Sequence, residues 1–220
     1  MKTSSSPTRK STRSRARRRD PEAKRAQLMA SARELFAKRG YGATTTADVA
    51  RHAGVSEGIV FHHFGSKAEL LASVAADYGR GLAQAMESAA RAVTPERAIE
   101  ASLRAAFAFV REEGELARFL NAASEPDDAA AVRAASREPI VASIERQLRA
   151  QESSGHLRGL DARITAELLY ALVGSALTEC YFHGDGSRES EYLRETVACV
   201  EGAVLARVPN SHTKNSHTKE

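Results

Sequence analysis

The 220-residue chain reads as an all-α protein of about nine helices. Ala, Leu, Arg and Glu dominate it, and these residues lose little on entering a helix. Strand signals are nearly missing: β-branched runs are few, and no Asn-Gly or Asp-Gly sits between alternating apolar segments. Helix starts recur instead, as a capping residue followed by Pro or an acid and then an apolar stripe at three- and four-residue spacing.

Residues 1–19 hold Ser, Thr and eight basic side chains with almost no apolar content, so a disordered basic tail is expected there. Such a tail can add phosphate affinity or reach into a minor groove, or simply be solvated. Asp20-Pro21-Glu22 then starts a helix, with Asp as N-cap, Pro at the first position and an acid near the positive dipole end. It runs to about Arg39 and stops at Gly40, with Leu28, Ala32, Leu35 and Phe36 on one face.

Thr44 is the expected cap of a second helix ending near His52, with Thr46, Val49, Ala50 and Ala53 inward. Gly54 suits the positive φ of a tight turn, and Val55 plugs the core. Ser56 caps a third helix ending near Phe64. Val60 and Phe64, four apart, face inward, which leaves Glu57, Gly58, Ile59, Phe61, His62 and His63 outward or sideways. Two short helices joined in this way present the second one to a DNA major groove. Ser66-Lys67-Ala68-Glu69 is a capping box opening a long fourth helix to about Ala92. Leu71, Val74, Ala75, Tyr78, Leu82 and Met86 form its stripe.

Thr94-Pro95-Glu96 starts a helix with Ile99, Leu103, Ala106, Phe107 and Val110 inward, and a short one follows over about Glu115 to Ala122. The next opens at Glu125-Pro126, is kinked or restarted by Pro139, and ends near Ser153. Gly155 to Leu160 is a loop. Asp161 caps a helix reaching about Phe182, and the last helix spans about Glu189 to Arg207. Residues 209–220, with NSHTK twice, read as a second disordered tail. The domains expected are thus a DNA-binding unit over 20–72 and a helical unit over 73–208.

The net charge of +4 is unevenly spread. Residues 20–72 carry seven basic and six acidic side chains, so with the basic tail in front everything after residue 72 is net acidic. Only the N-terminal part is therefore suited to a polyanion. Cys180 and Cys199 make no disulfide framework, no apolar run would span a membrane, and no secretory segment follows the basic start. A cytoplasmic protein with free thiols and no membrane partner is expected. Cys180, His183 and Asp185 fall short of the four ligands a structural metal site needs, so no metal or cofactor is expected. No nucleophile–base pair or phosphate loop nominates an enzyme. The cluster Glu112, Glu113 and Glu115 reads as solvated acids.

Ala32-x-x-Leu35-Phe36, Gly40-Tyr41, Thr44-Thr45, Asp48-Val49-Ala50, Ala53-Gly54-Val55-Ser56, Gly58, Phe61, Phe64 and Ser66-Lys67-x-x-Leu70 together resemble the TetR (tetracycline-repressor) family of bacterial regulators over about residues 21–75. The resemblance implies a homodimer that binds double-stranded DNA, each subunit carrying a helical domain that takes a small-molecule effector and dimerises through helices near 161–182 and 189–207. It implies phosphate contacts at Thr44, Thr45 and Lys67. It implies a DNA-facing surface at Ser56, Glu57, Gly58, Ile59, Phe61, His62 and His63.

The sequence departs from the family pattern in four places. Ile59 stands where Thr is common, Phe61 where Tyr is common, Glu57 where Lys is frequent, and Thr46 where an aliphatic is usual. Ile59 can meet a thymine methyl, and Glu57 can accept from a cytosine amino group.

The effector is unidentified by sequence. Leu103, Phe107, Phe119, Ile144, Tyr170 and Val173 are pocket candidates as well as core candidates, with Arg104 or Gln147 as a source of polarity if either faces inward. The expected function is a repressor released from a near-palindromic operator by that effector. The alternative is an architectural protein that uses the basic tail with little sequence preference.

Overall fold

The structure, a computed structural model, describes residues 21–121, 126–152 and 159–205, and of 126–129 and 131 the backbone only. The two expected tails, the Asp20 cap, Glu125 and most of the 155–160 loop lie outside the described residues. Within them there are nine α-helices: α1 (Pro21–Arg39), α2 (Thr46–His52), α3 (Glu57–Phe64), α4 (Lys67–Arg91), α5 (Ala98–Glu112), α6 (Gly114–Asn121), α7 (Pro126–Glu152), α8 (Ala162–Thr178) and α9 (Glu189–Val204). A 3-10 turn at Pro95–Arg97 leads into α5, and a π turn at Glu179–His183 follows α8.

Local chemistry sets most of the boundaries. Gly40 (φ 79°) and Gly54 (φ 65°) take the left-handed backbone that ends α1 and turns α2 into α3. Ser66 accepts from the Glu69 amide at 3.1 Å to open α4, and Asp161 accepts from the Ile164 amide at 2.8 Å to open α8. One expectation shifts: α2 is capped by Thr45, not Thr44. Of the two expected effects of Pro139, a restart does not occur, since α7 runs through it as one helix. α7 packs along the length of α4, and at Gly79 the contact is so close that a Cβ would lie 2.3 Å from the Ser136 carbonyl oxygen. The contact lies within one turn of Pro139, where proline removes a helix hydrogen bond.

Two apolar cores form. The N-terminal one gathers Leu28, Leu35, Phe36, Val49, Val60, Phe64, Leu70 and Leu71 from α1 to α4. It is not closed by those helices alone: Leu116 and Leu120 of α6 and Val132 of α7 are buried in it. The second core is built by α4, α5, α7, α8 and α9 around Phe107, Val141, Ala166 and Val200. Tyr78 packs against both. Arg33 of α1 spans the same seam, donating to Asp77 at 3.2 Å and to Glu113 at 2.7 Å. Glu113 is therefore an ion-pair partner and not part of a free acidic cluster.

Candidate nucleic-acid interface

α2 is fixed to α1 by polar ties as well as by the core. Gln27 donates to the Ala53 carbonyl at 2.8 Å, and the His52 Nδ1 lies 3.0 Å from the Ser31 hydroxyl. At the start of α2 a reciprocal capping box forms: the Asp48 amide donates to the Thr45 hydroxyl at 3.1 Å, and the Thr45 amide donates to the Asp48 carboxylate at 3.0 Å. The Thr45 hydroxyl also donates to that carboxylate at 2.7 Å. These bonds from Thr45 hold the Asp48 carboxyl below the usual range, assisted by Arg51.

Thr44 needs correcting as a phosphate contact. It is fully buried, and its hydroxyl faces the end of α1, within hydrogen-bond distance of the Gly40 carbonyl (2.9 Å) and the Leu35 carbonyl (3.3 Å). A hydroxyl held inside the fold cannot reach a phosphate. Thr45 is exposed, but its hydroxyl proton is engaged by Asp48. Thr46 is a second correction: it is not part of the α2 inner face, because its hydroxyl donates to the Glu57 carboxylate at 2.6 Å.

Along α3, Val60 and Phe64 are buried as the spacing demands, and Glu57, Gly58, Phe61 and His62 are exposed. Ser56 is extended and exposed, and its side chain makes no capping bond. A Cβ on Gly58 would meet nothing within 4 Å, so the fold itself does not require glycine there. Phe61, at 48% exposure, is a large apolar ring left in solvent. Ile59 is only half-buried because it leans on the N-terminal core. His63 is half-buried too, its ring 5.3 Å from that of His62, and burial, then His62, Arg25 and Lys24, push its pKa down. Lys67 places its ammonium 4.0 Å from the centre of the Tyr41 ring.

Sequence reasoning passed over Arg25 and Lys24. Arg25 sits with its guanidinium 5.0 Å over the Phe64 ring, beside the last turn of α3. The signal was present: Arg25, Leu28, Met29 and Ala32 share one face of α1.

Residues 28–74 match the family model of bacterial regulatory proteins of the tetR family. The chain is 33% identical over 116 residues to the transcriptional activator FasR of Mycolicibacterium smegmatis, covering 51% of this chain and 53% of FasR. It is 40% identical over 58 residues to the transcriptional repressor KstR2 of the same species, covering 26% of this chain and 28% of KstR2. It thus spans about half the length of one relative and about a quarter of the other. The whole fold resembles a solved TetR-family regulator from Syntrophomonas wolfei, with a TM-score of 0.70 at 12% identity over 83% of this chain and 95% of that one.

Residues 28–74 carry the DNA-binding segment that bacterial regulatory proteins of the tetR family share.

Beyond that segment the six pocket candidates do not share one site. Leu103, Ile144 and Val173 line a cavity of about 60 Å³ between α4, α5, α7, α8 and α9. Gln147 supplies its polarity, accepting from the Ser102 hydroxyl and donating to the Ser143 hydroxyl, both at 3.3 Å. Arg104 instead lies outside, paired with Glu100 at 2.7 Å. Tyr170 lines a separate opening of about 430 Å³. Phe107 is wholly buried in the second core, and Phe119 stacks on Phe36 at 5.9 Å in the N-terminal core, so neither lines either cavity. Cys180 is buried, His183 lies 3.0 Å from Glu179, and Asp185 accepts from the Ser187 amide at 2.9 Å.

Among the described residues no helix is long and apolar enough to cross a membrane. On the outer side of α8, Ile164, Leu168 and Leu172 are exposed at four-residue spacing. Beside them on α9, Ala198, Cys199, Gly202 and Ala203 are exposed.

Proposed function

We propose that this chain is a cytoplasmic transcriptional regulator that binds a near-palindromic operator as a homodimer and is released by a small molecule. The observation that carries the reading is the exposed face of α3. Glu57, Gly58, Phe61 and His62 lie in solvent on a helix whose other side is locked into a core, with Lys67 and Arg25 flanking it. Side chains on that face can meet base edges while the flanking cations meet phosphates. Thr45 and Ser56, both exposed, and the half-buried Ile59 and His63 complete the set. Residues 20–72 form the DNA-binding unit and 73–208 the effector-binding and dimerisation unit.

Dimerisation is supported by the α8 row of Ile164, Leu168 and Leu172 beside the small residues of α9. A leucine row next to a face without bulk lets two copies of the helix pair approach closely and bury what one copy leaves wet. Relatives include an activator as well as a repressor, and repression is the reading adopted for this chain. Release requires an effector that binds one arrangement of the two recognition helices more tightly than the other.

Footprinting on DNA flanking the gene tests this, run with and without candidate ligands. A protected near-palindrome is expected. Sequence-independent binding at every salt concentration would overturn it in favour of the architectural reading, which the eight basic residues of 1–19 favour. Deleting 1–19 separates the two: a specific regulator keeps its footprint at lower affinity.

A further inference from the structure

We propose that the larger cavity, not the smaller one, is the ligand site, and that it takes a compact amphipathic monocarboxylate whose acid group sits at Arg133 and Tyr170 and whose apolar body lies against Leu82, Ile140, Leu177 and Phe182. This rests on the reading of residues 73–208 as a ligand-sensing unit.

Size makes the first choice. A space of about 60 Å³ holds a few waters, whereas about 430 Å³ falls within the range of small-molecule pockets. Two of the smaller cavity's polar groups, Ser102 and Gln147, are also already bonded to each other.

Chemistry makes the second. Arg137, Arg146 and Arg149 of α7 and Arg163 of α8 are each held by a glutamate. Arg133, one α-helical turn before Arg137, forms no ion pair with a described residue, and it lines the larger cavity. Two tyrosines line the cavity with it. The Tyr181 hydroxyl donates to the Phe107 carbonyl at 3.2 Å, but those of Tyr78 and Tyr170 have no hydrogen-bond partner among the described residues. Burial pushes both phenols up, so each is a neutral donor, and the positive charges of Arg137, which lies 5.8 Å over the ring, and then Arg133 act on Tyr170.

A cation without an ion-pair partner among the described residues, beside neutral hydroxyl donors, suits a carboxylate, whose two oxygens accept from both. A cation would meet Arg133, and a neutral ligand would close the cavity over donors left unbonded. Glu179, the one acid among the described lining residues, disfavours a second negative charge on the ligand.

Calorimetric titration of the full chain tests this, with decanoate and 2-naphthoate as probes and decylamine and decanol as controls. Both acids are expected to bind at least tenfold more tightly than the amine and the alcohol. Arg133→Gln should weaken the acids at least tenfold with the melting temperature unchanged, because the side chain is exposed. Arg133→Lys should restore part of the loss, and Tyr170→Phe should weaken binding several-fold. Equal binding of amine or alcohol, no binding of either acid, or an Arg133→Gln protein that binds acids like the parent would each overturn the assignment. The footprint is read separately. Acid binding that leaves DNA occupancy unchanged counts against the release mechanism and supports the site. Release by some other ligand, with no acid bound, counts against the site alone.

Discussion

The hydroxyl of Thr46 donates to the carboxylate of Glu57 at 2.6 Å, joining the first turn of α2 to the first turn of α3. The bond turns an acid that should repel phosphate into an oriented acceptor at the head of the reading helix. In the DNA complex, Glu57→Gln should relax preference at one base pair by about 1–3 kcal/mol. It should also raise affinity for unrelated DNA, since a repulsive charge is gone. Thr46→Val should blur the same base pair while leaving the others sharp. Competition binding against an operator library checks both.

Lys67→Ala should act differently. Its ammonium, held over Tyr41, is suited to the backbone and not to a base. Affinity should fall about equally for all sequences, and the dependence of log affinity on log salt should flatten by roughly one unit. Titrations at several salt concentrations measure the slope. A loss confined to one base position would show that Lys67 reads sequence.

Thr44→Val should be a stability variant and not a binding variant. It removes a buried hydroxyl whose one proton is best placed for the Gly40 carbonyl, leaving that carbonyl without this donor at a cost of about 1–2 kcal/mol. Urea denaturation should show the loss, and DNA affinity per folded molecule should be unchanged.

Leu168 is 66% exposed on α8. Leu168→Glu should give a monomer by analytical ultracentrifugation. Loss of two-site engagement should lower operator affinity by about a hundredfold or more. A dimer that survives this change would place the interface elsewhere.

His63 supplies a pH dependence. Its folded pKa lies below the ordinary value because of burial, His62, Arg25 and Lys24. Below the ordinary histidine pKa the unfolded chain takes up a proton that the folded one resists, so this residue's contribution is present above that pKa. It is lost as pH falls toward the folded value. His63→Gln should flatten that part of the stability profile in thermal melts. DNA acts in the opposite sense, since phosphate favours the imidazolium and operator affinity should rise as pH falls through the same window.

Much of the helical framework was legible in the sequence because its causes are local. The caps at Ser66 and Asp161 and the stripe Leu28, Ala32, Leu35 and Phe36 need only spacing along one helix. The candidate reading face followed from Val60 and Phe64 in the same way. What escaped depends on contacts between helices. Three successive threonines are equivalent in one dimension, and the position of the α1 end decides that Thr44 turns inward, Thr45 caps and Thr46 reaches Glu57. Arg25 sits beside α3 only because α1 crosses it there. Phe119 had the right spacing for burial, but which of two cores received it depended on where α6 docks.

That docking makes the DNA-binding unit less portable than its sequence borders imply. Leu116, Leu120 and Val132 fill the underside of the N-terminal core, and Arg33 is neutralised by acids beyond residue 72. A chimera cut at residue 72 would graft a reading head onto a foreign seat, with sockets left empty and a guanidinium without its counter-charges. New operator preference is better transplanted as side chains on α3 than as a segment of chain.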